Sequence, residues 1–127
     1  LSKPPVIAIV DDDRAVGEAL LDLLQVEGLS ARMFKNGAAY FADAHYLEFR
    51  CVITDVRMPV MDGLELQRRL RACGSAMPVI FITSSVSDAT RERALSEGAI
   101  AWFTKPVANE ELLFELRTAL GDPGAIK

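Results

Sequence analysis

The chain has 127 residues, half of them apolar and a quarter charged, with a formal net charge of −4. That length suits one compact domain around a single core, and the apolar content excludes a disordered chain. The acidic balance argues against nucleic-acid binding by this segment, because such binding draws its affinity from clustered Lys and Arg.

The longest clean apolar run, Val6 to Val10, is too short to span a bilayer, so no membrane association is expected. No secretory leader is recognisable, and the start at Leu1 rather than Met fits a fragment or a processed chain. Cys51 and Cys73 have neither metal spacing nor a redox motif, which suits reduced thiols and a cytoplasmic location.

In chain order, β-like runs alternate with helix-like stretches. The first run is Val6–Val10, and Val16, Leu20, Leu23 and Leu24 then recur at helical spacing up to Gly28, which reads as the C′ residue that ends the helix. Ser30–Phe34 is the second run; Asn36 can cap a helix that turns Tyr40 and Phe41 inward, and His45 falls on the surface of that stretch. Cys51–Thr54 is the third. Asp62 and Glu65 have capping-box spacing ahead of Leu66 and Leu70, and Gly74 lies past the end. Val79–Thr83 is the fourth run, followed by a stretch capped by Ser87 or Asp88 that stops at Gly98. Ile100–Phe103 is the fifth, and Asn109 is expected to cap a final helix with Leu112, Leu113, Leu116 and Leu120 on one stripe.

The first, third and fourth runs are continuously apolar, as strands covered on both faces are. Such alternation predicts a doubly wound α/β fold, a parallel sheet with helices on both sides. The expected domain covers residues 1–120, and residues 121–127, rich in Gly and Pro, begin a linker.

In an open parallel sheet, functional groups collect beyond the carboxyl ends of the strands. Asp11, Asp12 and Asp13 follow the first run, Asp55 the third, Thr83 ends the fourth, and Lys105 comes just after the fifth. Two like charges 4 Å apart repel by roughly 4 kcal/mol at an effective dielectric of ~20. A stable cluster of carboxylates therefore calls for a cation, and hard oxygen ligands suit Mg²⁺. A carboxylate nucleophile, a metal, a hydroxyl and a lysine are together what phosphoryl transfer to an aspartate requires. Taken singly, Asp13 reads equally well as a helix cap, Asp55 as a loop carboxylate, Thr83 as a strand residue and Lys105 as a surface charge.

Four segments carry a resemblance: Val10-Asp11-Asp12, the run Asp55-Val-Arg-Met-Pro-Val-Met-Asp-Gly63, Thr83-Ser84, and Lys105-Pro106. From about Val6 to Leu120 the sequence resembles the receiver domains of bacterial two-component response regulators. The resemblance implies a five-stranded parallel sheet in the flavodoxin-like order 2-1-3-4-5 with five helices, a three-layer sandwich. It implies that Asp55 is the phosphoacceptor, that Asp11, Asp12, Asp55 and the backbone carbonyl of Arg57 hold Mg²⁺, and that Lys105 pairs with the phosphoryl group. Thr83 would be the switch hydroxyl and Trp102 the switch aromatic, and the Lys105–Pro106 bond would be cis.

The run of three aspartates leaves the acidic pair open by one position; the strand end at Val10 favours Asp11 and Asp12. The alternative for Trp102 is a half-buried edge aromatic with no switching part. The implied function is a phosphorylation-dependent switch, with a sensor histidine kinase or phosphotransfer protein as donor. The chain would catalyse only its own phosphorylation and dephosphorylation, and its output would be control of transcription. Phosphorylation is expected to favour a homodimer through the fourth helix, fifth strand and fifth helix. Arg57 and Ser85 flank the site at positions expected to tune the lifetime of the phosphorylated state. Two rival readings are a true phosphatase or phosphotransferase that uses an aspartyl phosphate, and a phosphorylation-independent binding module. Arg57, where a phosphatase would place a second Asp as general acid, weighs against the former. The complete set of acids, hydroxyl and lysine weighs against the latter.

Overall fold

The computed structural model describes residues 6–84 and 87–121. Five parallel strands form one sheet: β1 (Ile7–Val10), β2 (Ala31–Phe34), β3 (Cys51–Thr54), β4 (Val79–Thr83) and β5 (Ala101–Thr104), in the order β2-β1-β3-β4-β5. Five helices alternate with them: α1 (Arg14–Val26), α2 (Gly37–Ala42), α3 (Gly63–Ala72), α4 (Asp88–Ser96) and α5 (Asn109–Ala119). The doubly wound fold expected from the alternation is the fold observed.

Side chains alternate across a strand, so each apolar strand feeds two cores. Ala8, Val10, Val52, Val79 and Phe81 pack on one face with Tyr40 of α2, Leu66 and Leu70 of α3, and Ala94 of α4. Ile7, Ile9, Cys51, Ile53, Ile80 and Ile82 pack on the other with Leu20 and Leu24 of α1 and Leu112 and Leu116 of α5. Those four leucines, nearly or fully buried, each contribute about 2 kcal/mol of hydrophobic stabilisation. The sandwich thus has three layers: α1 and α5, the sheet, and α2, α3 and α4.

The helix ends follow the sequence signals in most places. Asn36, Asp62 and Ser87 each accept a hydrogen bond from the backbone N–H three residues on, and Gly28, Gly74 and Gly98 take positive φ just past α1, α3 and α4. The Glu65 carboxylate pairs with Arg68 and Arg69 on its own helix, so Asp62 caps α3 while Glu65 braces its first turn. Asn109 does not cap α5. The cap position is Ala108, without a side-chain bond, and Glu110 and Glu111 in the first turn compensate through their charge at the positive end of the helix dipole.

β1 and β2 start one residue later than their β-like runs, and β5 is shifted by one, to Ala101–Thr104, because it pairs in register with Ile80–Thr83 of β4. His45 is exposed as expected but lies beyond α2, leading into a 3-10 turn over Tyr46–Glu48. Both cysteines are free; burial pushes the Cys51 thiol up to about 12, which leaves it protonated and inert. Ser85 and, past Gly121, the expected linker lie outside the described residues. No helix among the described residues is long and apolar enough to cross a membrane.

Candidate functional site

The chain passes from β1 to β2 on one side and then to β3 on the other, so a crevice opens at the carboxyl ends of β1 and β3. Asp11 extends β1 and donates its N–H to the Phe34 carbonyl at 3.0 Å, and Asp55 extends β3 and donates to the Val10 carbonyl at 3.1 Å. Their side chains consequently face the same crevice. The carboxylates of Asp11, Asp12 and Asp55 have oxygens within 4.8 Å of one another. Asp11 and Asp55 are buried, and Asp12 is exposed at the rim.

Asp13 is occupied elsewhere: its carboxylate accepts from Ala15 N at 3.0 Å and Val16 N at 3.3 Å and so caps α1. This geometry separates the two readings of the aspartate run, since Asp11 and Asp12 join Asp55 and Asp13 starts the helix. Asp11 Oδ1 is oriented by the Asp13 N–H at 2.9 Å, and Asp55 Oδ1 by the Val56 N–H at 2.6 Å.

Lys105 closes the cluster. Its Nζ lies 2.8 Å from Asp55 Oδ2 and 3.2 Å from Asp11 Oδ2. Its own N–H donates to the Thr83 carbonyl at 2.8 Å, so the ends of β4 and β5 bring the lysine and the threonine together. The Lys105–Pro106 bond is cis, as expected. Burial raises the Asp11 pKa above the ordinary carboxylate value, against the Asp13 N–H and the Lys105 charge, which lower it. Burial is also the largest influence on Lys105 and works against its charge, yet its hydrogen bonds and charge contacts with Asp55 and Asp11 hold its pKa above the ordinary lysine value. The ammonium is therefore firmly charged beside three carboxylates. Three hard oxygen donors of net negative charge, left under-compensated by one lysine, fit a small divalent cation.

The loop from β3 to α3 completes the site. Arg57 is exposed and lines, with Asp12, Val56, Met58, Asp62 and Thr90, a cavity of about 580 Å³ at the mouth of the cluster. Gly63 N donates to the Val56 carbonyl at 2.8 Å, and α3 begins so close to β3 that a Cβ on Gly63 would sit 2.1 Å from the Asp55 carbonyl oxygen. The close approach gives a physical reason for the glycine that ends the Asp55–Gly63 segment. Val60, in the same loop, takes φ 72°, an unfavourable conformation for a β-branched residue.

Trp102 does not join the acidic cluster. It is half-buried on β5, its ring tilted against that of Phe81, its register partner on β4, with centroids 5.5 Å apart, and it lines a cavity of about 280 Å³ with Ser87, Asp88, Arg91 and Thr104. The sequence reading missed Gln67 and Arg71 of α3, which hold the end of α4. Gln67 lies on the stripe of Gly63, Leu66 and Leu70, and a polar residue on a buried stripe was the available signal.

The model of the response regulator receiver domain matches residues 7–117. The chain belongs to the response regulator receiver family. The response regulator protein TmoT of Ectopseudomonas mendocina is 45% identical over 115 residues, covering 91% of this chain and 52% of that protein. The response regulator protein TodT of Pseudomonas putida strain F1 is 43% identical, covering 91% and 51%. The receiver chain thus spans about half the length of these curated relatives. Among solved structures, a CheY-like response regulator receiver domain protein of Methanospirillum hungatei superposes with a TM-score of 0.83 at 26% identity, covering 98% of this chain and 100% of its own. As a receiver domain with its acidic pocket in place, the chain is a phosphorylation switch and not a conventional enzyme.

Proposed function

We propose that Asp55 is the phosphoacceptor of this receiver domain. The observation that carries the reading is the contact of one ammonium, Lys105 Nζ, with both Asp55 and Asp11 at the crevice between β1 and β3, where Asp12 adds a third carboxylate. The family implies a histidine kinase, or a phosphotransfer protein, as donor. An Asp55 carboxylate oxygen attacks the phosphorus, the P–N bond to the donor imidazole breaks, and the imidazole leaves with the electron pair and takes up a proton. Asp11, Asp12, Asp55 and the Arg57 carbonyl would hold Mg²⁺, which supplies charge neutralisation at the phosphoryl oxygens.

Lys105 lies within hydrogen-bond reach of the acceptor and can pair with a phosphoryl oxygen once Asp55 carries the acyl phosphate. Thr83, at the end of β4, is the proposed switch hydroxyl and Trp102 the proposed aromatic reporter. Arg57, at the cavity mouth, would tune the lifetime of the acyl phosphate. Acetyl phosphate or a phosphohistidine donor should label the chain once, only with a divalent cation. Asp55→Asn should abolish the label, and labelling that survives the substitution or EDTA would refute the assignment.

We propose further that phosphorylation favours a homodimer through α4, β5 and α5. Exposed Arg91 and Glu92 on α4, Glu110 and Glu111 on α5, and the half-exposed Phe114 support this reading. Arg93 and Arg117 already face Glu97 and Glu27 within the chain, so they offer less to a partner. Sedimentation with and without Mg²⁺ and beryllofluoride should show dimer only with the mimic; monomers in both samples would refute it. The receiver unit over residues 1–120, with a linker from 121, would pass its state to a cytoplasmic transcription output, in keeping with relatives about twice its length.

A further inference from the structure

Helices α3 and α4 are held in different ways. α3 seats Gly63, Leu66, Gln67 and Leu70 in the interior, whereas α4 buries only Ala94. Apolar burial, which usually keeps a short helix in place, is thus sparse along α4. Its C-terminal end is fastened instead by hydrogen bonds from α3 to backbone carbonyls. Gln67, fully buried, donates from Nε2 to the Ala94 carbonyl at 3.0 Å and to that of Glu97 at 3.4 Å. Arg71 donates from Nε to the Glu97 carbonyl at 2.8 Å and from Nη2 to that of Gly98 at 3.4 Å. Its Nη1 reaches the carbonyls of Ser75 and Met77 at 3.1 and 2.9 Å. One guanidinium therefore ties the end of α4 to the turn that leads into β4. The Ala94 and Glu97 carbonyls, in the last turn and cap of α4, are of the kind a helix C-terminus leaves without intrahelical partners.

The other end of α4 borders open space on two sides. Ser87, Asp88 and Arg91 line the 280 Å³ cavity opposite Trp102, and Thr90 lines the 580 Å³ cavity opposite Asp12 and Arg57. At the fastened end, Gln67 Oε1 is buried without a hydrogen-bond partner among the described residues.

We infer that Gln67 and Arg71 make the C-terminal end of α4 a fixed pivot. Occupancy at Asp55 then moves the N-terminal turn, between the acidic cavity and Trp102, while the C-terminal turn stays in place. The inference rests on the reading of Asp55 as phosphoacceptor. Gln67 and Arg71 are positioning residues: they act through the carbonyls of α4 and of the turns beside it and touch none of the reacting atoms. An amide and a planar guanidinium suit the task, because each presents donors in a fixed geometry that a lysine lacks.

Residue-resolved amide exchange of the whole chain, with and without Mg²⁺ and beryllofluoride, tests the pivot. The reporters are the N–H groups of Glu97, Gly98 and Ala99 at one end, bonded to Arg93, Leu95 and Ala94, and those of Thr90 and Arg91 at the other. In the free protein the first set should exchange about tenfold more slowly, and the mimic should alter the second set about fivefold and the first by less than about twofold. Gln67→Leu should speed exchange at the C-terminal set about tenfold and leave the N-terminal set nearly unchanged. Arg71→Met, which keeps the side-chain stem, should do the same and serves where the first variant does not fold. Equal acceleration along the whole of α4, or a mimic effect largest at Glu97–Ala99, would overturn the pivot. If beryllofluoride leaves Trp102 fluorescence unchanged and gives no bound fluorine resonance, the phosphoacceptor reading fails instead. The variants in the free protein still decide the pivot.

Discussion

The two ends of the sheet are built to different ends. Where the strands begin, neighbouring segments are joined by neutral backbone bonds: Val6 to Ser30, Arg50 to Val6, Val52 to Pro78 and Ile100 to Val79. Arg50 reaches across from there to the Leu120 carbonyl at 2.8 Å and ties down the last turn of the domain. Where the strands finish, the chain gathers buried carboxylates around one lysine, holds Val60 at positive φ, and brings α3 against the Asp55 backbone. One end secures the fold, and the other gives up stability to hold charge and to keep room for a ligand.

The largest expected effect of breaking this contrast comes at Gly63. Gly63→Ala should cost roughly 3 kcal/mol, because the start of α3 or the end of β3 must move aside, and should also lower phosphorylation by displacing Asp55. Chemical denaturation with parallel labelling checks both. Lys105→Ala should destabilise the metal-free protein by about 2 kcal/mol, since it leaves buried Asp11 and Asp55 without their cation. Added Mg²⁺ should recover much of that loss in melting experiments, and a deficit indifferent to Mg²⁺ would mean that the carboxylates do not share a cation. Some labelling should persist in this variant, with a smaller change of Trp102 fluorescence per phosphoryl group.

Val60→Gly should have the opposite sign. The side chain is 84% exposed, so little packing is lost, and relief of its left-handed backbone should stabilise the fold by about 1 kcal/mol. At the other end of the sheet, Arg50→Ala should cost only about 0.5–1 kcal/mol, the value of one exposed hydrogen bond, and should leave labelling unaltered. The ranking itself is the test: a larger functional loss from Arg50 than from Gly63 would erase the contrast between the ends.

Much of this was legible in the sequence because the signals are local. Continuous apolar runs at Val6–Val10, Cys51–Thr54 and Val79–Thr83 report strands covered on both faces, and Asp11, Asp12, Asp55 and Lys105 report a site because each stands at a strand end. Asp13 is ambiguous in sequence, since a cap and a ligand ask for the same side chain there; only its bonds to Ala15 and Val16 decide. The Asn109 cap failed because Ala108 occupies that place and charge replaces the missing bond. The ties from Gln67 and Arg71 to α4 were not legible, because their partners are carbonyls about 27 residues away whose position only the packed sheet fixes. Val60 gave no signal either, since nothing in its side chain favours positive φ.

The central claim is that Asp55 alone accepts the phosphoryl group. An acyl phosphate can be reduced by borohydride, which leaves homoserine where the aspartate stood, and peptide mass spectrometry then reads the position directly. After incubation with acetyl phosphate and Mg²⁺, homoserine should appear at position 55 and at no other, and it should vanish when EDTA is present. Homoserine at position 11, 12 or 62, or at 55 regardless of the metal, would contradict the account.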